Sequence, residues 1–245
     1  MSTLSFNGHV NAALALCRVS NLPTVWMNVL TAAVLCNPPD HAPPAALVLL
    51  LAFALSCFYC GGMALNDLCD VDHDRVHQPF RPIPAGAIGL GPARALTLAL
   101  FAVALFCLLL APHRAGAAAG VALLGVIWVY DRFHKRHPSM VFAMAGARLL
   151  VYAVTALALT GSVSKGAALA AIAQAAYVLV LTVVARLEHR TAAGRYAWPV
   201  IPWMLAAMPM LDGVVLAVLA SPAWLLAGAA GTVLTRAGQR RVRGD

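Results

Sequence analysis

The sequence predicts an all-α fold, a polytopic transmembrane bundle of about eight helices. Three observations carry this. Of 245 residues, 62% are hydrophobic and only 11% charged, where a soluble domain would carry about a quarter charged. Several apolar stretches reach about 18 residues, enough to cross a bilayer as helices. Proline and glycine clusters punctuate them: Pro38-Pro39, Pro43-Pro44, Pro112, Pro138, Gly161 and Pro222.

The opening segment is mixed, with Asn7, His9 and Asn11 interrupting any signal-peptide-like apolar core. Spanning helices are then expected over 19–36, 44–65, 93–111, 115–130, 139–160, 165–185, 198–219 and 221–237. Asp212-Gly213 is an alternative turn between the last two. They divide into two sets of four, each with a longer connection after its second helix, 66–92 and 186–197, which suggests a duplicated bundle.

Charge orients the bundle. With both termini on one side, that side carries 14 of the 17 Lys and Arg. The other carries only Arg114 and Lys165, and Arg148 lies within a helix. The positive-inside rule then makes both termini cytoplasmic in a multi-pass cell-membrane protein. The net charge of +8 reports this orientation before it suggests any nucleic acid, which is not an expected partner. The six cysteines lie mostly in apolar stretches. Cys57 and Cys60 form a C-x-x-C pair that reads as buried apolar side chains or, less simply, as a redox or metal pair.

Four of the nine acidic residues fall in one run, Asn66-Asp67-Leu68-Cys69-Asp70-Val71-Asp72-His73-Asp74-Arg75, directly after an apolar stretch. Acid beside a membrane is costly and is usually retained for function. On a helix Asp67, Asp70 and Asp74 stand at i, i+3 and i+7, with Asn66 inside the same arc of about 100° and Asp72 opposite. Three carboxylates and an amide on one face are hard oxygen donors of the kind Mg²⁺ prefers. The plainer alternative is a solvated acidic helix cap.

Arg75 and Arg81 follow within the same connection. A planar guanidinium matches phosphate oxygens in a bidentate way, though both also suit positive-inside anchors. Pro82 and Pro84 are expected to hold their segment extended. Tyr130-Asp131-Arg132-Phe133-His134-Lys135-Arg136-His137 offers another basic wall. Within the membrane, Asn28, Arg148, Gln174 and Asp212 need partners. Arg148 fits a pairing with Asp212 or a substrate contact. Asn28 fits a cavity wall or a bond to a neighbouring helix. Trp26, Phe58, Tyr59, Trp128, Tyr130 and Tyr152 are candidates to line an apolar tunnel, or to sit at the lipid interface.

Asn66-Asp67-x-x-Asp70-x-x-x-Asp74, followed by Arg75 and Arg81-Pro82-Ile83-Pro84-x-Gly86, resembles the first motif of the UbiA superfamily of membrane prenyltransferases. Arg18-Val19-Ser20-Asn21-Leu22-Pro23-Thr24 looks like that family's first-helix start, and Tyr130 with Lys135-Arg136 its tyrosine-then-lysine-arginine element. The resemblance implies one domain over 1–245, with helices (typically nine) around a cavity. It implies Mg²⁺-dependent transfer of a prenyl group from a prenyl diphosphate to a small-molecule acceptor, often aromatic, within membrane lipid. Carried over onto this chain, Asn66, Asp67, Asp70 and Asp74 are the metal residues, with the three aspartates catalytic. Asn66, Arg75, Arg81 and Lys135 are diphosphate contacts, and Asn28 and Arg148 candidate substrate contacts.

The family's second aspartate motif is missing. Ala185-Arg186-Leu187-Glu188-His189-Arg190 has one carboxylate there, and Arg186, His189 and Arg190 share a helical face. This motivates the expectation that one Mg²⁺ suffices, with Arg186 and Arg190 contacting the diphosphate in place of a second. Glu188, His189 and Asp212 are the only acceptor bases in view. Two alternatives stay open: a non-catalytic protein that binds or moves a polyprenyl lipid, and a cation or proton transporter.

Overall fold

The computed structural model describes residues 6–37, 42–188, 196 and 198–242. Ten α-helices follow in order: α1 Phe6–Leu16, α2 Leu22–Cys36, α3 Ala45–Cys69, α4 Val71–His77, α5 Leu90–Leu109, α6 Arg114–Phe133, α7 Met140–Thr160, α8 Lys165–Glu188, α9 Val200–Leu219 and α10 Trp224–Gln239. Seven of them, α2, α3 and α5 to α9, are long and apolar enough to span a membrane. The expected eighth, α10, has 16 residues and falls short of that length. Asp212 and Gly213 lie inside α9, and the chain turns at Ala220.

Two short helices were not foreseen. The mixed opening segment forms α1, and its last residue, Leu16, is fully buried beside Ala64, Val71 and Ile83. The acidic run divides between α3 and α4, because Asp70 leaves the helical conformation between them (φ −99°, ψ 2°). The proline segment is not extended either. It folds into consecutive turns, with Ala85 N–H bonded to Arg81 O at 2.9 Å and Ala87 N–H to Pro82 O at 2.9 Å. Burial of Ile83 draws the loop in, and Gly86 supplies the positive φ (+72°) the last turn needs.

The core joins α2, α3, α5, α6 and α7 through Val29, Leu55, Phe58, Leu108, Leu123 and Val154. Lipid is as apolar as leucine, so close approach of small residues holds such bundles together. At the α9–α10 contact, a Cβ on Gly213 would lie 2.8 Å from Gly228 Cα. Leu98, Phe106, Phe142, Val218 and Leu226 point outward as a lipid-facing surface needs. Side-chain bonds tie segments together at both ends of the bundle. Gln239 Nε2 bonds Asn21 Oδ1 at 3.2 Å at one end, and Ser164 Oγ bonds Leu35 O at 2.7 Å at the other.

Candidate active site

The acidic run lies at the end of the bundle where α3 stops. Asp67, Asp70 and Asp74 are buried there, while the Asp72 side chain is 96% exposed, as helical spacing predicts. Arg81 Nη1 meets Asp67 Oδ1 at 3.3 Å and Asp74 Oδ2 at 2.6 Å, so two carboxylates share one nitrogen. Arg18 Nη2 adds a contact to Asp67 Oδ1 at 3.1 Å. Asp70 faces another wall: Lys135 Nζ at 2.8 Å and His134 Nε2 at 3.3 Å. Burial pushes the Asp70 carboxyl up, but the bonds from His134 and Lys135 outweigh it and hold it below the usual carboxylate range. The same bond to Asp70 raises the His134 imidazole.

Arg18 is the one non-glycine residue with positive φ (45°) among the described residues. Such backbone strain gathers at functional sites. Sequence reasoning took Arg18 only as a helix start, and it placed Asp131 and His134 in a basic wall without giving either a role of its own. The available signal was spacing: Asp131, His134 and Lys135 stand at i, i+3 and i+4 at the end of α6, one helical face.

Asn66 Nδ2 donates to Asp131 Oδ1 at 3.1 Å. Asp131 in turn lines a pocket between α2, α3, α6 and α7, with about 720 Å³ of empty space including its open mouth. Its wall is apolar apart from Asp131, Arg148 and the phenols of Tyr59 and Tyr130. Of the tunnel aromatics, Phe58, Tyr59 and Tyr130 line it; Trp26 and Trp128 face outward, and Tyr152 is packed elsewhere.

Deeper in the bundle is a second polar group. Arg148 Nη1 donates to Asn28 Oδ1 at 2.8 Å, and Asn28 Nδ2 donates to Asp212 Oδ2 at 2.6 Å and to Tyr152 Oη at 2.8 Å. Tyr152 also donates to Asp212 Oδ1. Asn28 thus bridges Arg148 and Asp212, which make no direct ion pair among the described residues. Asn28 is bonded to neighbouring helices rather than lining the pocket, whereas Arg148 belongs to both. Gln174 is fully buried with neither amide atom bonded among the described residues.

Arg75 and Arg186 stand apart from the carboxylates. Arg75 is exposed and pairs with Asp72 at 3.0 Å, because it follows Asp74 onto the outer face of α4. Arg186 is exposed and bonds Pro138 O at 3.0 Å, which ties α8 to the α6–α7 connection. His189 and Arg190 lie outside the described residues. Glu188 Oε1 accepts the Tyr196 N–H at 3.1 Å. The Cys57–Cys60 pair is buried on α3, with both thiols free.

The donors suit Mg²⁺ in kind: three buried carboxylates in one bend of chain, beside Arg and Lys able to hold phosphate. Among the described residues no three acidic, His or Cys side chains already surround one point as metal ligands. Each carboxylate instead holds a cation of the protein itself, and those cations are the groups a diphosphate would take.

The sequence model of the UbiA prenyltransferase family matches residues 23–239. The chain belongs to this family. A digeranylgeranylglyceryl phosphate synthase of Natronomonas pharaonis is 32% identical over 181 residues, 70% of this chain and 63% of that protein. One from Ignicoccus hospitalis is 39% identical over 97 residues, 40% of this chain and 30% of its own. The matched regions thus span less than two thirds of these relatives. The structure of a UbiA homolog from Archaeoglobus fulgidus bound to DMAPP and Mg²⁺ superposes with a TM-score of 0.62 at 19% identity, covering 91% of this chain and 86% of that one. The same homolog bound to GPP and Mg²⁺ gives 0.60 at 16% identity, with the same coverage. The UbiA fold, a multi-pass membrane helix bundle, is therefore this chain's fold.

Proposed function

We propose that this UbiA-family protein is a Mg²⁺-dependent prenyltransferase that moves a prenyl group from a prenyl diphosphate to a hydroxyl of a glycerophosphate-type lipid. One observation carries it: a buried acid-and-base cluster stands one hydrogen bond away from an apolar pocket. The residues from 1 to 245 act as one unit, with the cluster and both termini on the cytoplasmic side. The A. fulgidus homolog's ligands support the metal and the donor class. The relatives' names support the acceptor class in place of an aromatic one.

Asp67, Asp70 and Asp74 would hold Mg²⁺, which when bound neutralises charge on the departing diphosphate. Arg81, Arg18, Lys135 and His134 turn from the carboxylates to diphosphate oxygens, preorganised donors in a water-poor site. Apolar walls keep water from the allylic cation, and Tyr59 and Tyr130 present ring faces to it. Arg148 gives the pocket one cation for an anionic acceptor group.

Incubating purified protein with labelled geranylgeranyl diphosphate and a glycerol phosphate monoether, with and without Mg²⁺, tests this. The expected result is a diether by mass, formed only with Mg²⁺. A lipid-binding role is favoured by one observation, the single carboxylate, Glu188, where α8 ends and the connection to α9 begins. Tight prenyl diphosphate binding without pyrophosphate release would establish it.

A further inference from the structure

We propose that Asp131 is the acceptor-binding residue of the pocket, and that its free carboxylate oxygen takes the acceptor's hydroxyl proton. This rests on the prenyl-transfer reading above. Asp131 is 5% exposed and lines the pocket. Its Oδ1 is fixed by Asn66 Nδ2 at 3.1 Å, and its Oδ2 has no hydrogen-bond partner among the described residues. A buried polar oxygen without a partner is costly, so this oxygen, on a residue that lines the pocket, calls for a donor.

The other buried acids are occupied. Asp67, Asp70 and Asp74 hold Arg and Lys, and Asp212 accepts from Asn28 and Tyr152. No cation lies within 4 Å of Asp131 among the described residues. Its oxygen therefore fits a neutral donor, and a hydroxyl is the group this reaction consumes. Asn66 links it to the carboxylate cluster, so the hydroxyl is held beside the place where the donor's head arrives.

The step balances. A lone pair on the hydroxyl oxygen forms the new C–O bond to the prenyl C1. The C1–O bond to diphosphate breaks, and its electron pair leaves on diphosphate. The hydroxyl proton passes to Asp131 Oδ2 and then to water at the pocket mouth. The products are an ether, pyrophosphate and one proton.

Asp131→Asn keeps the shape and the bond to Asn66 but can turn an N–H toward the hydroxyl. Its transfer to the glycerol phosphate monoether is expected to fall roughly 100- to 10,000-fold in kcat, the range for losing a proton acceptor. Its Mg²⁺-dependent affinity for geranylgeranyl diphosphate is expected to stay within about threefold of wild type, which also shows the fold intact. A second readout uses inhibitors. Wild type should bind the hydroxyl-bearing monoether roughly 10- to 100-fold tighter than its deoxy counterpart, and Asp131→Asn should lose that preference. Unchanged transfer by Asp131→Asn, or equal loss of diphosphate binding and transfer, overturns the inference. Failure of the prenyl-transfer reading looks different: wild type itself would form no ether.

Discussion

Two groups of buried carboxylates are satisfied in opposite ways. At the end of α3, Asp67, Asp70 and Asp74 meet Arg18, Arg81, His134 and Lys135, all charged or chargeable and all from other segments. Deeper, Asp212 meets the neutral donors Asn28 and Tyr152, and Arg148 reaches it only through Asn28. Buried ion pairs are paid for in desolvation and are weak evidence for stability. The first cluster is therefore the one the proposed function treats as exchangeable, with cations that would pass from carboxylate to phosphate. The second is a closed network that ties α2, α7 and α9 together, with Arg148 as its one outlet to the pocket.

Substitutions can break this contrast. The largest effect is expected from Asp67→Ala, which removes a proposed metal donor and leaves Arg18 without its carboxylate; turnover should fall by roughly 100-fold or more. A steady-state assay with saturating Mg²⁺ checks it, and near-wild-type turnover would remove Asp67 from the site. Tyr152→Phe should do the reverse. It leaves Asp212 one donor short and costs about 1–3 kcal/mol of stability, seen in thermal unfolding in detergent, with Mg²⁺ affinity unchanged.

A smaller effect is expected from pH. Asp70 raises the His134 pKa above the ordinary imidazole value of about 6.5. The charged His134–Asp70 bond is thus complete below that ordinary value and is lost as pH rises through the raised one. Protonated His134 competes with a divalent ion for Asp70, so Mn²⁺ affinity should rise through that window. His134→Asn should flatten the rise. The smallest effect is expected from Arg75→Ala. Its exposed pair with Asp72 is worth about 0–1 kcal/mol, and neither turnover nor unfolding temperature should move measurably.

The same contrast shows what the sequence could reveal. Apolar length and punctuation located every long helix, and residue spacing put Asp67, Asp70 and Asp74 inside and Asp72 outside, because both depend on local periodicity. The bend at Asp70, the coiled loop around Ile83 and the bridge of Asn28 between Arg148 and Asp212 depend on what distant segments bring. Ile83 looks like an extended Pro-Ile-Pro until Leu16 and Ala93 are there to receive it. The roles of Arg18 and Asp131 were not legible for the same reason, since their partners lie 49 and 65 residues away. Helix α10 starts at Trp224 rather than at 221, because apolar composition continues through the turn before it.

The central claim is that the three aspartates bind an ion which in turn binds an isoprenoid diphosphate. The direct measurement is calorimetric titration of geranylgeranyl diphosphate into purified protein, with and without Mg²⁺, for wild type and for Asp67→Asn/Asp70→Asn/Asp74→Asn. Mg²⁺ should tighten binding at least about tenfold in wild type and leave the triple variant unaffected. Equal affinity with and without the ion in wild type, or the same gain in the variant, would contradict the account.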